Sequence, residues 1–140
     1  MLQKFPMSAN TGLLVLRLGV GVMMALHGLP KIVGGPDQWA GLGGALPFLP
    51  DALRPVAGFL AAVAEFGGGL CLATGVLFRW ACLFLMGTMA VAFSTKLGEF
   101  NGVMDFAYQA GWPLELLVVF TALFITGPGD KFRLGKGPLA

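Results

Sequence analysis

Residues 56–78 read VAGFLAAVAEFGGGLCLATGVLF, with one charged side chain, Glu65, near the middle. A run this long and this apolar has few places to go. It matches the ~20 residues that an α-helix needs to cross a bilayer. It lacks the alternation of apolar and polar positions that a membrane β-barrel requires. The rest of the chain agrees. Of 140 residues, 56% are hydrophobic and only 11% are charged, and the mean hydropathy is +0.81. Soluble domains carry about 25% charged residues, and a chain this short must cover a large surface relative to its volume. The polar side chains are too few for that in water, so the chain reads as a membrane protein.

Four segments have the composition of spans: 12–31, 56–78, 79–96 and 109–126, the last two short. The expected fold is all-α, a transmembrane four-helix bundle forming a single membrane domain over residues 1–140, with a polar cytoplasmic tail at 127–140. Between the first two spans lies VGGPDQWAGLGGALPFLPDALRP. Gly and Pro break it too often for a span, yet it is too apolar for a free loop. It reads as a short interfacial or re-entrant element packed over the bundle, because irregular backbone survives at membrane depth only against protein or water. LGEFNGVMD reads as a polar loop before the fourth span. Lys4 ahead of an apolar run suggests a signal peptide, but Arg17 interrupts that run and HGLPK ends it, so it reads as a retained first helix.

With four spans, Lys4, Arg79, Lys131, Arg133 and Lys136 share one side, and Lys31, Arg54 and Lys96 the other. The excess of basic residues places both termini in the cytoplasm. The net charge of +2, with no long basic run, gives no sign of a nucleic-acid partner. Cys71 and Cys82 form no C-x-x-C pair and lie in apolar surroundings, which predicts free, packed thiols.

An ionised side chain at the bilayer centre costs ~2.5–3.5 kcal/mol on insertion scales. Arg17, His27, Glu65 and Glu115 all fall within spans and need a reason to be there. Lys31 and Lys96 sit at span ends, where long side chains reach the headgroups. At 100° per residue, Arg17, Met24 and Lys31 share a stripe of the first helix, flanked by Gly21 and Gly28, with His27 about 80° from Arg17. That face is expected to point into the bundle, where glycines let backbones approach closely. Pro30 is expected to disturb the helix near Lys31. Glu65, the tenth residue of its span, lies about 14 Å in, close to the midplane. Glu115, just after Pro113, is expected in the first turn of the fourth helix, where a carboxylate suits the N-terminus. His27, Lys31, Glu65, Lys96 and Glu115 are therefore expected around one pocket in the outer half, with Arg17 alone in the inner half. The bland alternatives stand beside this. Glu65 is neutral, or pairs with His27 or Lys31 to lock the bundle; Glu115 caps a helix; Arg17 anchors to inner headgroups. A single His with no Cys or Asp nearby offers no dedicated metal site.

Several motifs in order carry a family likeness: LLVLRLGVGVMMALHGLPKIVGG, WAGLGG, FLAAVAEFGGGLCLATGVLFRWA and FITGPGDKFRL. The pattern is an Arg early in the first helix, an H-G-x-x-K exit, A-E-x-x-G-G in the second, a G-x-x-x-R turn and a G-P-G close. It resembles the DoxX family of small four-helix membrane proteins. The resemblance implies a multi-pass protein of a bacterial or archaeal inner (cytoplasmic) membrane, since the family name comes from a subunit linked to thiosulfate:quinone oxidoreductase. No haem His pair, Fe–S cysteine set or nucleotide loop is present in the sequence. Redox chemistry would then draw on a quinone from the bilayer, on a partner subunit or homo-oligomer, or on both.

The function expected on these grounds is quinone binding by a subunit of an oxidoreductase system. His27 would donate to a carbonyl and Glu65 would carry the proton, while Arg17, Lys31, Lys96 and Glu115 contribute to ligand binding. Two other readings compete. One is a scaffold or anchor whose basic tail holds a soluble redox enzyme at the membrane. The other is a small transporter or proton-coupled carrier, built from the same intramembrane Glu, His and Arg.

Overall fold

A computed structural model describes residues 8–98 and 100–135. Lys4, Glu99 and Lys136 lie outside the described residues, which are all-helical, with no strand among them. Helix α1, Ala9–Val33, runs straight through Pro30, so the expected disturbance near Lys31 does not end it. At Gly34 and Gly35, the latter with φ +81°, the chain turns into α2, Gly35–Gly43. A 3₁₀ turn, Asp51–Leu53, leads into α3, Arg54–Thr74, with Pro55 in its first turn. The second span was expected to reach Phe78. Instead α3 stops where Gly75 adopts φ +74° and its N–H bonds to the Cys71 carbonyl at 2.9 Å. This is the usual left-handed helix stop. Phe78 opens α4, Phe78–Ser94.

Helix α5, Val103–Thr126, starts at Val103 rather than Gln109. The last three residues read as loop, Val103 to Asp105, instead open the helix. Asp105 accepts from the Asn101 backbone N–H at 3.0 Å and from Gln109 Nε2 at 2.6 Å, so these groups are satisfied locally. Three helical stretches are long and apolar enough to cross a membrane: Ala9–Val33, Asp51–Thr74 and Val103–Thr126. Helix α4 is apolar but shorter.

Helix α3 is central and packs against α1, α2 and α4, while α5 packs against α4. Small residues make the close approaches. A Cβ added to Gly69 would lie 2.5 Å from the Ala25 nitrogen, and one on Gly21 would lie 2.7 Å from both Ala73 N and Gly69 O. The α1–α3 seam is therefore backbone against backbone. The element expected between the first two spans is α2, laid over α3. Gly58 meets the Trp39 backbone, Gly43 meets the Arg54 backbone, and the Trp39 and Phe59 rings sit 4.8 Å apart. Met24, Leu72, Phe78, Cys82, Leu85, Met89, Phe120 and Leu123 form the buried cluster between α1, α3, α4 and α5.

Candidate functional site

The seam between α1 and α3 positions the site. Gly28 abuts the backbone of Phe66, and Lys31, one turn further along the same face of α1, therefore reaches the middle of α3. Its Nζ donates to Glu65 Oε2 at 2.5 Å. Glu65 is only 5% exposed, one turn before the close-packed Gly68 and Gly69. The Lys31 carbonyl accepts from Trp39 Nε1 at 2.8 Å, which ties the end of α1 to α2. Of the partners open to Glu65 on sequence grounds, the structure selects Lys31.

Beside this pair lies a cavity of about 670 Å³ bounded by α2, α3 and α4. Ala57, Ala61, Ala64, Leu83 and Gly87 give it small apolar walls, and Lys31, Glu65, Thr88, Thr95 and Lys96 give it a few polar groups. The second carboxylate oxygen of Glu65 accepts no hydrogen bond among the described residues, and the residue lines the cavity wall. The Thr88 hydroxyl is committed to the Leu85 carbonyl at 3.0 Å. The site thus offers one ion pair, one carboxylate oxygen free to accept, and an exposed ammonium at the rim, Lys96. Among the described residues, no three His, Cys, Asp or Glu side chains converge to hold a metal.

The pocket expected from the sequence gathers fewer of its residues in the structure. Lys31, Glu65 and Lys96 meet in it; His27 and Glu115 do not, and Arg17, expected apart from the pocket, does not line it. His27 precedes Gly28 by one residue and so points about 100° away from the face that α3 occupies. It is exposed and lines a different groove, between α1 and α5, with its ring 6.1 Å from that of Trp112. Glu115 is not in a first helical turn. With α5 starting at Val103 it falls near mid-helix, and it is exposed. Trp112 was missed from sequence, because an indole near a span end reads as an interfacial anchor. It lines both the cavity and the α1–α5 groove and stands between them.

The family model named DoxX matches residues 12–97, more than half of the chain. The chain belongs to the DoxX family. In this DoxX protein the matched segment carries Arg17, His27, Lys31, Glu65 and Lys96, and it stops short of α5, Trp112 and Glu115. No curated protein and no solved structure matches the chain.

Arg17 closes the other end of the DoxX fold. It is 0% exposed, so it is not a headgroup anchor. One Nη donates to the Ala73 carbonyl at 3.2 Å, and the other to the carbonyls of Lys131 and Phe132, the latter at 2.7 Å. Asn10 bonds Asp130, Lys131 Nζ bonds the Thr11 hydroxyl, and the Leu134 N–H bonds the Thr74 carbonyl. The tail after α5 is thereby fastened to the start of α1 and the end of α3. Arg79 belongs to the same end, donating to the Phe124 carbonyl at 2.6 Å. Fourteen residues of helix, about 21 Å, separate Arg17 from Lys31.

Proposed function

We propose that this DoxX protein crosses the cytoplasmic membrane four times, with α4 as the fourth span, and binds a quinone or similar lipophile beside the Lys31–Glu65 pair. In this reading it serves as a membrane subunit of an oxidoreductase system, with both termini cytoplasmic. Helix α4, at ~1.5 Å per residue, is about 25 Å long, a few Å short of the ~30 Å hydrocarbon core. Modest bilayer thinning accommodates that difference. The observation that carries the binding reading is the cavity itself: apolar walls, few polar groups, and a volume within the ~300–1,000 Å³ range of ligand sites.

A bound quinone would supply redox chemistry in which electron transfer is coupled to proton uptake or release. The residues of the chain supply the rest. The alanine and glycine faces of α3 and α4 accept a flat ring and its tail without a polar penalty. Lys31 holds and orients Glu65, leaving its second oxygen to accept a hydrogen bond or a proton from whatever lies in the cavity. Lys96 at the mouth stabilises negative charge developing near the rim.

The test is a titration of the purified protein in lipid nanodiscs with a short-chain quinone. Glu65→Gln keeps the shape and removes the charge. Lys31→Met/Glu65→Leu replaces the whole pair by apolar groups of similar size, which is often neutral for stability. The proposal expects saturable binding by the wild type, weakened about tenfold or more in both variants while they remain folded. Equal binding by all three would remove the ion pair from the site.

A further inference from the structure

Glu115 faces away from the rest of the protein. Helix α5 buries Pro113, Phe120 and Leu123, while its opposite side exposes Tyr108, Val118 and Ile125, and Glu115 lies on that outer stripe. It sits near the middle of the helix and has neither hydrogen bond nor ion pair among the described residues. Intramembrane carboxylates are expensive and almost always find a partner or a watery cavity. Nothing within the protomer supplies either.

Helix α1 presents the complement. His27 is exposed and forms no hydrogen bond among the described residues. Its ring contact with Trp112 fixes the relative height of the two helices. The bond between Asn10 and Asp130 puts the start of α1 beside the chain that follows α5, so the two helices run antiparallel. Glu115 is then three residues, about 4.5 Å, nearer the Asn10 end than Trp112, and hence than His27. Copies sharing one membrane hold these residues within one helical turn in depth, a gap the two side chains span. Helices α1 and α5 also lack the close packing seen at the α1–α3 and α4–α5 seams, and they leave between them a groove of about 460 Å³.

We propose that the α1–α5 face is the interface with a second copy of this chain, related by a two-fold axis along the membrane normal. His27 of each protomer donates to Glu115 of the other. The axis makes the interface self-complementary, so the pair forms twice and no open edge remains. Complementary donor and acceptor, within one helical turn of each other in depth, select a second copy over an acyl chain, which offers Glu115 no donor. The proposal is independent of the quinone reading, since neither residue touches that cavity.

The experiment measures association by energy transfer between donor- and acceptor-labelled full-length copies in vesicles, as lipid dilutes the protein. The wild type is expected to dimerise. His27→Ala and Glu115→Ala should each weaken dimerisation about tenfold, because each removes both symmetric bonds. The exchange His27→Glu/Glu115→His should recover most of it. A second measurement leaves the pair untouched: Met23→Cys on one copy and Val118→Cys on another, with Cys71 and Cys82 replaced by Ala, should cross-link between copies. A wild-type protein that stays monomeric, dimers indifferent to both single variants, or dimers without that cross-link would overturn the proposal.

Discussion

The buried ionisable residues divide the labour. Arg17 has no carboxylate among its hydrogen-bond partners; three backbone carbonyls solvate its charge, two of them from the tail. Hydrogen bonds to charged groups contribute about 1.5–3 kcal/mol each, and Arg17→Ala should weaken tail docking by about 3 kcal/mol. Tryptic cleavage after Lys131 or Arg133 should then accelerate about a hundredfold. Arg17→Lys should recover little, because one ammonium cannot span the same three acceptors. Lys31 and Glu65 behave differently. Removing one partner of a buried pair costs about 3–5 kcal/mol. Lys31 keeps a fifth of its side chain exposed, so Lys31→Met should fall at the low end, near 3 kcal/mol. Adding Glu65→Leu to it should restore most of that loss in a denaturant titration. Failure of the double variant to recover would mean that the carboxylate has structural partners besides Lys31.

The helices hold their register through glycines whose neighbours cannot move. Gly67 and Gly69 lie two residues apart on α3, yet a Cβ on Gly67 meets nothing within 4 Å while one on Gly69 strikes the α1 backbone. Gly69→Ala should cost roughly 1–3 kcal/mol, and Gly67→Ala should be neutral or slightly stabilising; reversible unfolding in mixed micelles distinguishes them. Periodicity made the inward face of α1 and the position of Glu65 legible beforehand, because glycines at seven-residue spacing mark a close seam. The same periodicity did not show that this face is narrow, so His27, one residue from Gly28, was placed inside when it lies on the flank. The start of α5 was hidden for another reason. Hydropathy counts Asp105 as loop, whereas in the fold it accepts from the Asn101 N–H and from Gln109 within the first turns. That shift moved Glu115 from a helix cap to an outward mid-helix position. Family likeness supplied the fold class, but the reaction is not written in any motif of the chain.

Taken whole, the molecule has two unlike ends. One is fastened by Arg17, Arg79 and the tail; the other opens into the cavity of Lys31 and Glu65. On the proposed topology the fastened end lies in the cytoplasm, the side that carries more basic residues. A membrane-impermeant maleimide should therefore label Phe48→Cys from outside intact spheroplasts and Ser8→Cys only after lysis, and the reverse pattern would invert the topology. Whether the cavity holds a lipophile is decided by photolabelling. A quinone bearing a photoreactive group is irradiated with the wild-type protein in native membranes, and the labelled peptides are sequenced. The label should fall on α3 and α4 around Ala61, Glu65, Leu83 and Gly87, and excess unmodified quinone should displace it. Labelling spread evenly over the outward faces of α1 and α5, indifferent to competitor, would contradict a binding site beside Glu65.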